Sequence, residues 1–562
     1  MYAIRGRRLR MTASFVITLV VAVHANAQEA APSMAGRSTV YAPNGTIATS
    51  QPLATAAGLA VLQRGGNAID AAVTAAAVLN LVEPHMTGIG GDMFALLWSA
   101  RERRLVGLNA SGRSGSRMTR EALADRGLDA VPLFGAAPIT VPGALSGWVA
   151  LLERYGTITL AEALQAAIRL AESGFPVSPI IAGQWAEEVE RLRADDGARA
   201  TFVIDGMRAP LAGEWFRNPD LAASFRLIAD SGPGALYGGA LGRTIVDRVQ
   251  RLGGFLTLDD LARHEPVWVE PMSVPFRGHT VWELPPNGQG VAALEMLRIL
   301  EPYDLKSMGH NSALYLHHLI EAKKLAFADL GRWVGDPDAM TAAPARLLEN
   351  DFIDARRAAL DPHRAATRVD PGSAMTSSET IYLAVADADG NMVSFINSVY
   401  WAFGSGVVAP GTGFALQNRG AGFALEPGLP NTLAPRKRPF HTIIPAFVTR
   451  PGPDGEQPWL AFGVMGGAIQ PQGHVQVLLN LLEFAMDLQD AIDAPRFRHF
   501  DGVRVGLEAP IPAAVRAALT AMGHEVVALP PGDAGGAQAV MRLARGWAAG
   551  SDPRKDGMAA GW

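Results

Sequence analysis

Hydroxyl groups are the nucleophiles this chain has to offer. It contains no cysteine, which removes thiolate nucleophiles, disulfides, thiolate zinc sites and iron–sulfur ligation together. The Gly-x-Ser-x-Gly elbow of serine hydrolases and the His-Glu-x-x-His of zinc proteases are also absent. A hydroxyl needs a base to become reactive, and Thr380 suggests how one could be supplied. It stands where a polar, short-side-chain segment, 365–379, meets the apolar run Thr380–Ala386. If the Glu379–Thr380 bond were cut, Thr380 would carry a hydroxyl and a free α-amine. The α-amine has a pKa of about 7.7–8.0 in model compounds, close to where a general base works best. Junctions of this kind are common, so spacing alone does not single Thr380 out. Other clusters are weaker. The turn Glu83–Asp92 is glycine-rich but lacks Gly-Lys-Ser/Thr and a preceding strand, which argues against a P-loop. His317, His318 and Glu321 share one helix, where a metal site is conceivable; with no further ligand at a telling spacing, they read as helix-surface residues. Met465-Gly466-Gly467, taken alone, reads as a turn.

The elements around these residues follow from periodicity. Thr46–Val82 reads as two helices parted by Gly65-Gly66, with Asn67 capping an alanine-rich, buried second helix. A strand is expected at Met93–Trp98. From Ala122 to Glu349 the pattern is mostly helical, with helices near Ser146–Tyr155, Leu160–Ser173, Pro179–Arg193 and Ser312–Asp329. Thr380–Ala386 and Met392–Val399 read as strands joined by the turn Asp387–Asn391, both apolar enough for a sheet covered on both faces. Alternating strands and turns follow at Gly404–Leu416, Thr442–Thr449 and Trp459–Val464, then helices at Gln472–Met486 and Asp487–Ala494. No repeat or linker divides the chain, so both halves are expected to make one fold.

The composition agrees. The chain has 562 residues, 49% of them hydrophobic and 18% charged, ample for a large core. A net charge of −5 and a lack of basic runs past the N-terminus argue against nucleic-acid binding. Arg5, Arg7, Arg8 and Arg10 precede the apolar run Ala13–Val23 and then Ala25-Asn26-Ala27. This is the pattern of a signal peptide over 1–27, with a mature chain from Gln28, a periplasmic location and no membrane association after cleavage.

Several stretches, in order, resemble the γ-glutamyltransferase family of N-terminal nucleophile hydrolases along nearly all of the mature length. They include Gly65–Ala72, Glu83-Pro84-His85 with Gly88–Gly91, Val141-Pro142-Gly143, and Gly253-Gly254-Phe255 with Asp259-Asp260-Leu261. Glu321-Ala322-Lys323 with Asp329, Thr380 with Asp387–Asn391, and Phe403–Gly406 come next. Lys437-Arg438-Pro439, Met465-Gly466-Gly467, Ala494-Pro495-Arg496 and Ser551–Arg554 complete the set. The resemblance implies an α+β fold, a four-layer αββα sandwich, and a precursor that cleaves itself before Thr380. The products would be a large subunit, 28–379, and a small one, 380–562, paired as a heterodimer that can assemble further. It implies Thr380 as nucleophile, Ser398 as a second hydroxyl assisting it, and the Gly466 and Gly467 amides facing the oxyanion. The substrate would be a small-molecule amide and the acyl acceptor water or an amine. No metal or organic cofactor is required.

The amino-acid clamp departs from the family pattern. Ser111 stands where the family has an arginine for the glutamyl carboxylate, although Arg113 is two residues on, and Gly422 stands where an aspartate binds the α-amine. An asparagine becomes Tyr400, and a serine pair becomes His441-Thr442. Arg419 is an added cation, suited to a carboxylate or to a structural pairing with a neighbouring acid. Asn418-Arg419-Gly420, Lys437–Thr442 and Gln470–His474 look more like the acylase branch, which includes cephalosporin-acylase-like enzymes cleaving glutaryl or related amides. The expected substrates are therefore γ-glutamyl amides such as glutathione or, alternatively, another acyl amide. An uncleaved periplasmic binding protein is the reading of another class.

Overall fold

The computed structural model describes residues 36–367 and 379–562. Two seven-stranded sheets, each antiparallel throughout, stack face to face. One runs in the order Val40–Ala42, Trp547–Ser551, Gly536–Arg542, Gly455–Met465, Ala446–Gly452, His279–Glu283, Met272–Phe276. The other runs Met558–Gly561, Thr46–Thr49, Glu379–Ala386, Met392–Tyr400, Asp92–Ser99, Arg104–Ala110, Val267–Val269. Each sheet draws strands from both sides of Thr380, so neither half closes a sheet alone. This is one fold.

Side-chain alternation assigns the layers. On the Thr380 strand, Tyr382, Ala384 and Ala386 pack between the sheets against Phe447, Ala461 and Met465. Ile381, Leu383 and Val385 point the other way, into a helical layer built by Ala68–Val82, Ala144–Tyr155 and Leu160–Ser173. A second helical layer, with Gly290–Leu300, Ala313–Trp333 and Gln470–Leu482, covers the other sheet. The result is the αββα sandwich. All fifteen residues of Ala68–Val82 are buried, and Asn67 and Asp70 close its N-terminus as a reciprocal capping box, an arrangement that stabilises a helix by about 1 kcal/mol.

Several expectations need correction. Thr46–Thr49 is a strand, with the first helix beginning at Pro52. Five strands interrupt the stretch expected to be mostly helical: the short pair Phe175–Pro176 and Trp215–Phe216, and then Val267–Val269, Met272–Phe276 and His279–Glu283. Pro275 weakened that signal, and it is accommodated because its strand lies at a sheet edge. Pro179–Arg193 splits into Pro179–Glu187 and Val189–Leu192. Gly404–Leu416 forms no strand beyond an isolated bridge between Val408 and Ala415, and residues 442–445 precede the strand Ala446–Gly452. The signal peptide, and most of the segment leading to Thr380, lie outside the described residues.

Candidate functional site

Thr380, Ser398 and Asp92 lie side by side at one end of three neighbouring strands. The register pairs Ser398 with Asp92 and Ile381 with Asn397. Between Ile381 and Glu379 the register shifts by one, so that Ser398 and Val399 together oppose Thr380. A bulge of this kind re-aims side chains and often accompanies active sites. All three side chains share the face that looks between the sheets, and all three are buried. Gly91, next to Asp92, is required by space: a Cβ there would come within 2.2 Å of the Ser398 carbonyl oxygen.

The Thr380 hydroxyl donates to Ser398 Oγ at 3.3 Å. Ser398 Oγ also accepts from the Tyr400 amide at 2.8 Å and from Arg419 Nη2 at 3.1 Å. Tyr400 is held at φ 81, a left-handed backbone that a bulky side chain seldom adopts. Its ring lies under the Arg419 guanidinium, 4.2 Å from centroid to Cζ. Arg419 Nη1 donates to Thr442 Oγ1 at 2.8 Å. Arg419 is fully buried, its Nε has no hydrogen-bond partner, and no described carboxylate lies within ion-pair distance of it. Burial lowers its pKa to about 10, against the pull of Tyr400 and Asp92. The structural pairing with an acid is therefore not found.

Asp92 is anchored differently. Its Oδ1 accepts from the Gly112 and Gly143 amides and from Gln417 Nε2, and its Oδ2 from His441 Nε2. Burial favours its neutral form, but the His441 hydrogen bond, His441 and Arg419 nearby and the Gln417 bond outweigh that and hold the carboxyl below its ordinary range. His441 is pushed down to about 4 by burial and by Arg419, with Asp92 opposing. It is neutral: Nε2 donates to Asp92 and Nδ1 accepts the Ile443 amide at 3.3 Å. Both ring nitrogens are thus occupied, which suits positioning and not proton abstraction. Asp92 and Gln417 were not singled out in the sequence. The four donors to Asp92 come from four separate segments, so no local spacing announces them.

Gly466 and Gly467 follow directly on the strand Gly455–Met465, with φ of 122 and 67, values that favour glycine. Neither amide makes a hydrogen bond to a described residue. Gln289 Nε2 ties this turn to the Thr442 loop by donating to both the Gly467 and Thr442 carbonyls. Arg113 lies elsewhere. It pairs with Asp336 at 3.1 Å and Asp338 at 3.4 Å, in the wall of a cavity of about 220 Å³ whose lining includes none of Thr380, Ser398 or Arg419. Ser111 donates to Asn109 Oδ1 at 2.7 Å, and the Gly422 carbonyl accepts from Asn431 Nδ2 at 2.7 Å, with the Phe440 carbonyl beside its Cα.

The helix histidines are another correction, because His317 and His318 are buried. His317, Glu321 and His524 converge closely enough to suggest a metal site. However, His317 Nδ1 and His524 Nε2 hydrogen-bond each other at 2.8 Å, and the Lys324 ammonium lies 2.7 Å from Glu321. A cation there would meet a resident positive charge, so the cluster reads as a polar core, although His524 Nδ1 has no hydrogen-bond partner.

The comparisons agree with this architecture. The family described as Gamma-glutamyltranspeptidase matches residues 54–562. A glutathione hydrolase-like YwrD proenzyme of Bacillus subtilis is 39% identical over 520 residues, covering 91% of this chain and 97% of the relative. An acylase ACY 1 proenzyme of a Pseudomonas species is 38% identical, covering 86% and 88%. The crystal structure of a cephalosporin acylase from Bacillus halodurans superposes with a TM-score of 0.89 at 43% identity, covering 95% of this chain and 98% of that one. With a matching profile over most of its length and an N-terminal-nucleophile hydrolase fold, this chain is an enzyme of the gamma-glutamyltranspeptidase family.

Proposed function

We propose that the protein is a self-cleaving amidohydrolase that removes acyl groups bearing a terminal carboxylate, of the glutaryl type, through an ester on Thr380. The observation that carries this reading is Arg419, a buried guanidinium that touches Ser398 and that no carboxylate among the described residues pairs with, so that a substrate carboxylate can serve as its counter-charge. A γ-glutamyl group would bring an ammonium as well. Asp92, which stands beside the cluster, already accepts four hydrogen bonds from the fold, three on Oδ1 and one on Oδ2, and so is committed to partners other than a substrate ammonium. The acylase names among the relatives favour an acyl amide other than a γ-glutamyl one, without naming its acyl group.

In this mechanism, scission before Thr380 frees its α-amine. The amine takes the Thr380 hydroxyl proton as Oγ1 attacks the amide carbonyl. Ser398 orients Oγ1, and the Arg419 charge disfavours protonation of the nearby amine. The Gly466 and Gly467 amides stabilise the oxyanion, each such donor contributing about 3–4 kcal/mol in the transition state. Collapse breaks the C–N bond, the amine returns its proton to the leaving nitrogen, and water then hydrolyses the acyl-Thr380 ester. Export through a cleaved signal over 1–27 and pairing of the two cleaved subunits belong to the same proposal.

Turnover of glutaryl-p-nitroanilide against γ-glutamyl-p-nitroanilide tests the substrate class. We expect the glutaryl compound to have kcat/KM at least ~10-fold higher, of the order one charge-assisted contact supplies. The reverse preference would return the enzyme to γ-glutamyl amides such as glutathione, and turnover of neither would remove the proposal.

A further inference from the structure

Next to the buried arginine, the chain builds an aromatic ridge that the catalytic scheme does not use. Tyr400, under Arg419, is followed by Trp401, whose amide donates to Asn418 Oδ1 at 3.1 Å. Asn418, the neighbour of Arg419, donates in turn to the Leu133 carbonyl at 2.7 Å. That pairing brings Phe134 against Trp401, ring centroids 6.0 Å apart and edge-on at 81°. Arg191 lies over the Phe134 ring at 4.3 Å, and is itself fixed by Glu188 and the Ala402 carbonyl. Phe134 remains 37% exposed and Trp401 partly so, while Tyr400 and Arg419 are buried. The ridge thus passes from the closed end of the site to solvent. Two large rings clamped by a cation and an asparagine, with apolar surface left open, form a rigid platform; edge-to-face geometry and cation contact both fix rings in place.

The direction of the ridge matters. On the carboxyacyl reading above, the charged acyl end occupies the buried Arg419 and the amine portion extends toward solvent, where Trp401 and Phe134 present their open apolar surface. We infer that Trp401 and Phe134 form the leaving-group subsite and select amides whose amine carries an aromatic or comparably flat apolar group. An aromatic contact of this kind gives a preference of about tenfold. It would be felt in binding, with no effect on bond making.

Two non-hydrolysable ligands separate this from the chemistry. One is the ketone analogue of a glutaryl anilide in which a methylene replaces the N–H, keeping the phenyl group. The other is the corresponding methyl ketone. Calorimetry on the mature protein should show the phenyl ketone binding about 10-fold tighter than the methyl ketone. Trp401→Ala and Phe134→Ala should each remove most of that advantage, leave the methyl ketone within twofold, and be rescued at position 401 by Trp401→Phe. Equal binding of the two ketones, or an advantage that survives both substitutions, would overturn the inference. Because the advantage is a ratio, it is read separately from the carboxyacyl proposal. That proposal fails instead if both ketones bind unchanged to an Arg419→Met enzyme.

Discussion

Arg496 and Arg419 are both buried in the core, but their surroundings have little in common. Arg496 donates to Asp552 at 2.7 Å and to the Ala534 and Ile492 carbonyls. Asp552 in turn meets Arg554, and Arg554 meets Glu508 at 2.6 Å. Every charge in that cluster has an opposite within reach. Arg419 has two hydroxyls and a phenol ring. Removing a guanidinium from water is costly unless partners compensate it. Arg496 finds its compensation within the fold and is therefore structural. Among the described residues Arg419 has no carboxylate partner, and on the proposed function a substrate supplies one.

The contrast is best attacked from the structural side first, where the effect is largest. Arg496→Met leaves Asp552 buried beside one arginine instead of two and should destabilise the protein by about 3–5 kcal/mol, read from chemical denaturation. Arg419→Met strands no carboxylate, so its unfolding free energy should stay within about 1 kcal/mol of the parent. Its kcat/KM for glutaryl-p-nitroanilide should nevertheless fall by roughly 30–100-fold, the loss of a charge-assisted pair worth about 2–3 kcal/mol. If both substitutions destabilise alike and Arg419→Met retains activity, the distinction between the two arginines is lost.

A smaller effect is expected at Ser398. Ser398→Ala removes one neutral hydrogen bond to Thr380 Oγ1 and should slow kcat by about 10-fold, with Ser398→Thr restoring it. The smallest effect is a pH dependence. His441 has a folded pKa of about 4, below its unfolded value of 6.5. Between those values the unfolded chain binds the proton and the folded one does not. The stability associated with neutral His441 is therefore fully present above pH 6.5 and lost as pH falls toward 4. Thermal melts across that window should show a shallower decline in His441→Gln. An unchanged slope would mean that His441 is not held neutral.

How much of this the sequence shows depends on where its signals lie. The hairpin that carries Thr380 and Ser398 eighteen residues apart is written in two apolar runs and an Asp-Gly turn, so both strands are legible. Leu160–Ser173 appears as expected because its apolar stripe and its Thr159–Glu162 capping box are local. Asp92 escapes notice for the opposite reason: it reads as the end of a glycine-rich turn, and its meaning lies in Gly112, Gly143, Gln417 and His441. Arg419 is visible as a departure from the family pattern, but the absence of a nearby acid is a fact of packing. The burial of His317 and His318 likewise follows from helix packing on the far sheet, which the sequence of one helix does not reveal.

The central claim is that Thr380 becomes a chain terminus. Intact mass under denaturing conditions, with N-terminal sequencing of each species from purified protein, tests it most directly. The account predicts two chains, the smaller opening Thr380-Ile381-Tyr382, with Thr380→Ala remaining a single chain. A parent protein that stays one uncut chain on prolonged incubation would leave Thr380 without a free amine, and would contradict the nucleophile, the base and the mechanism built on them.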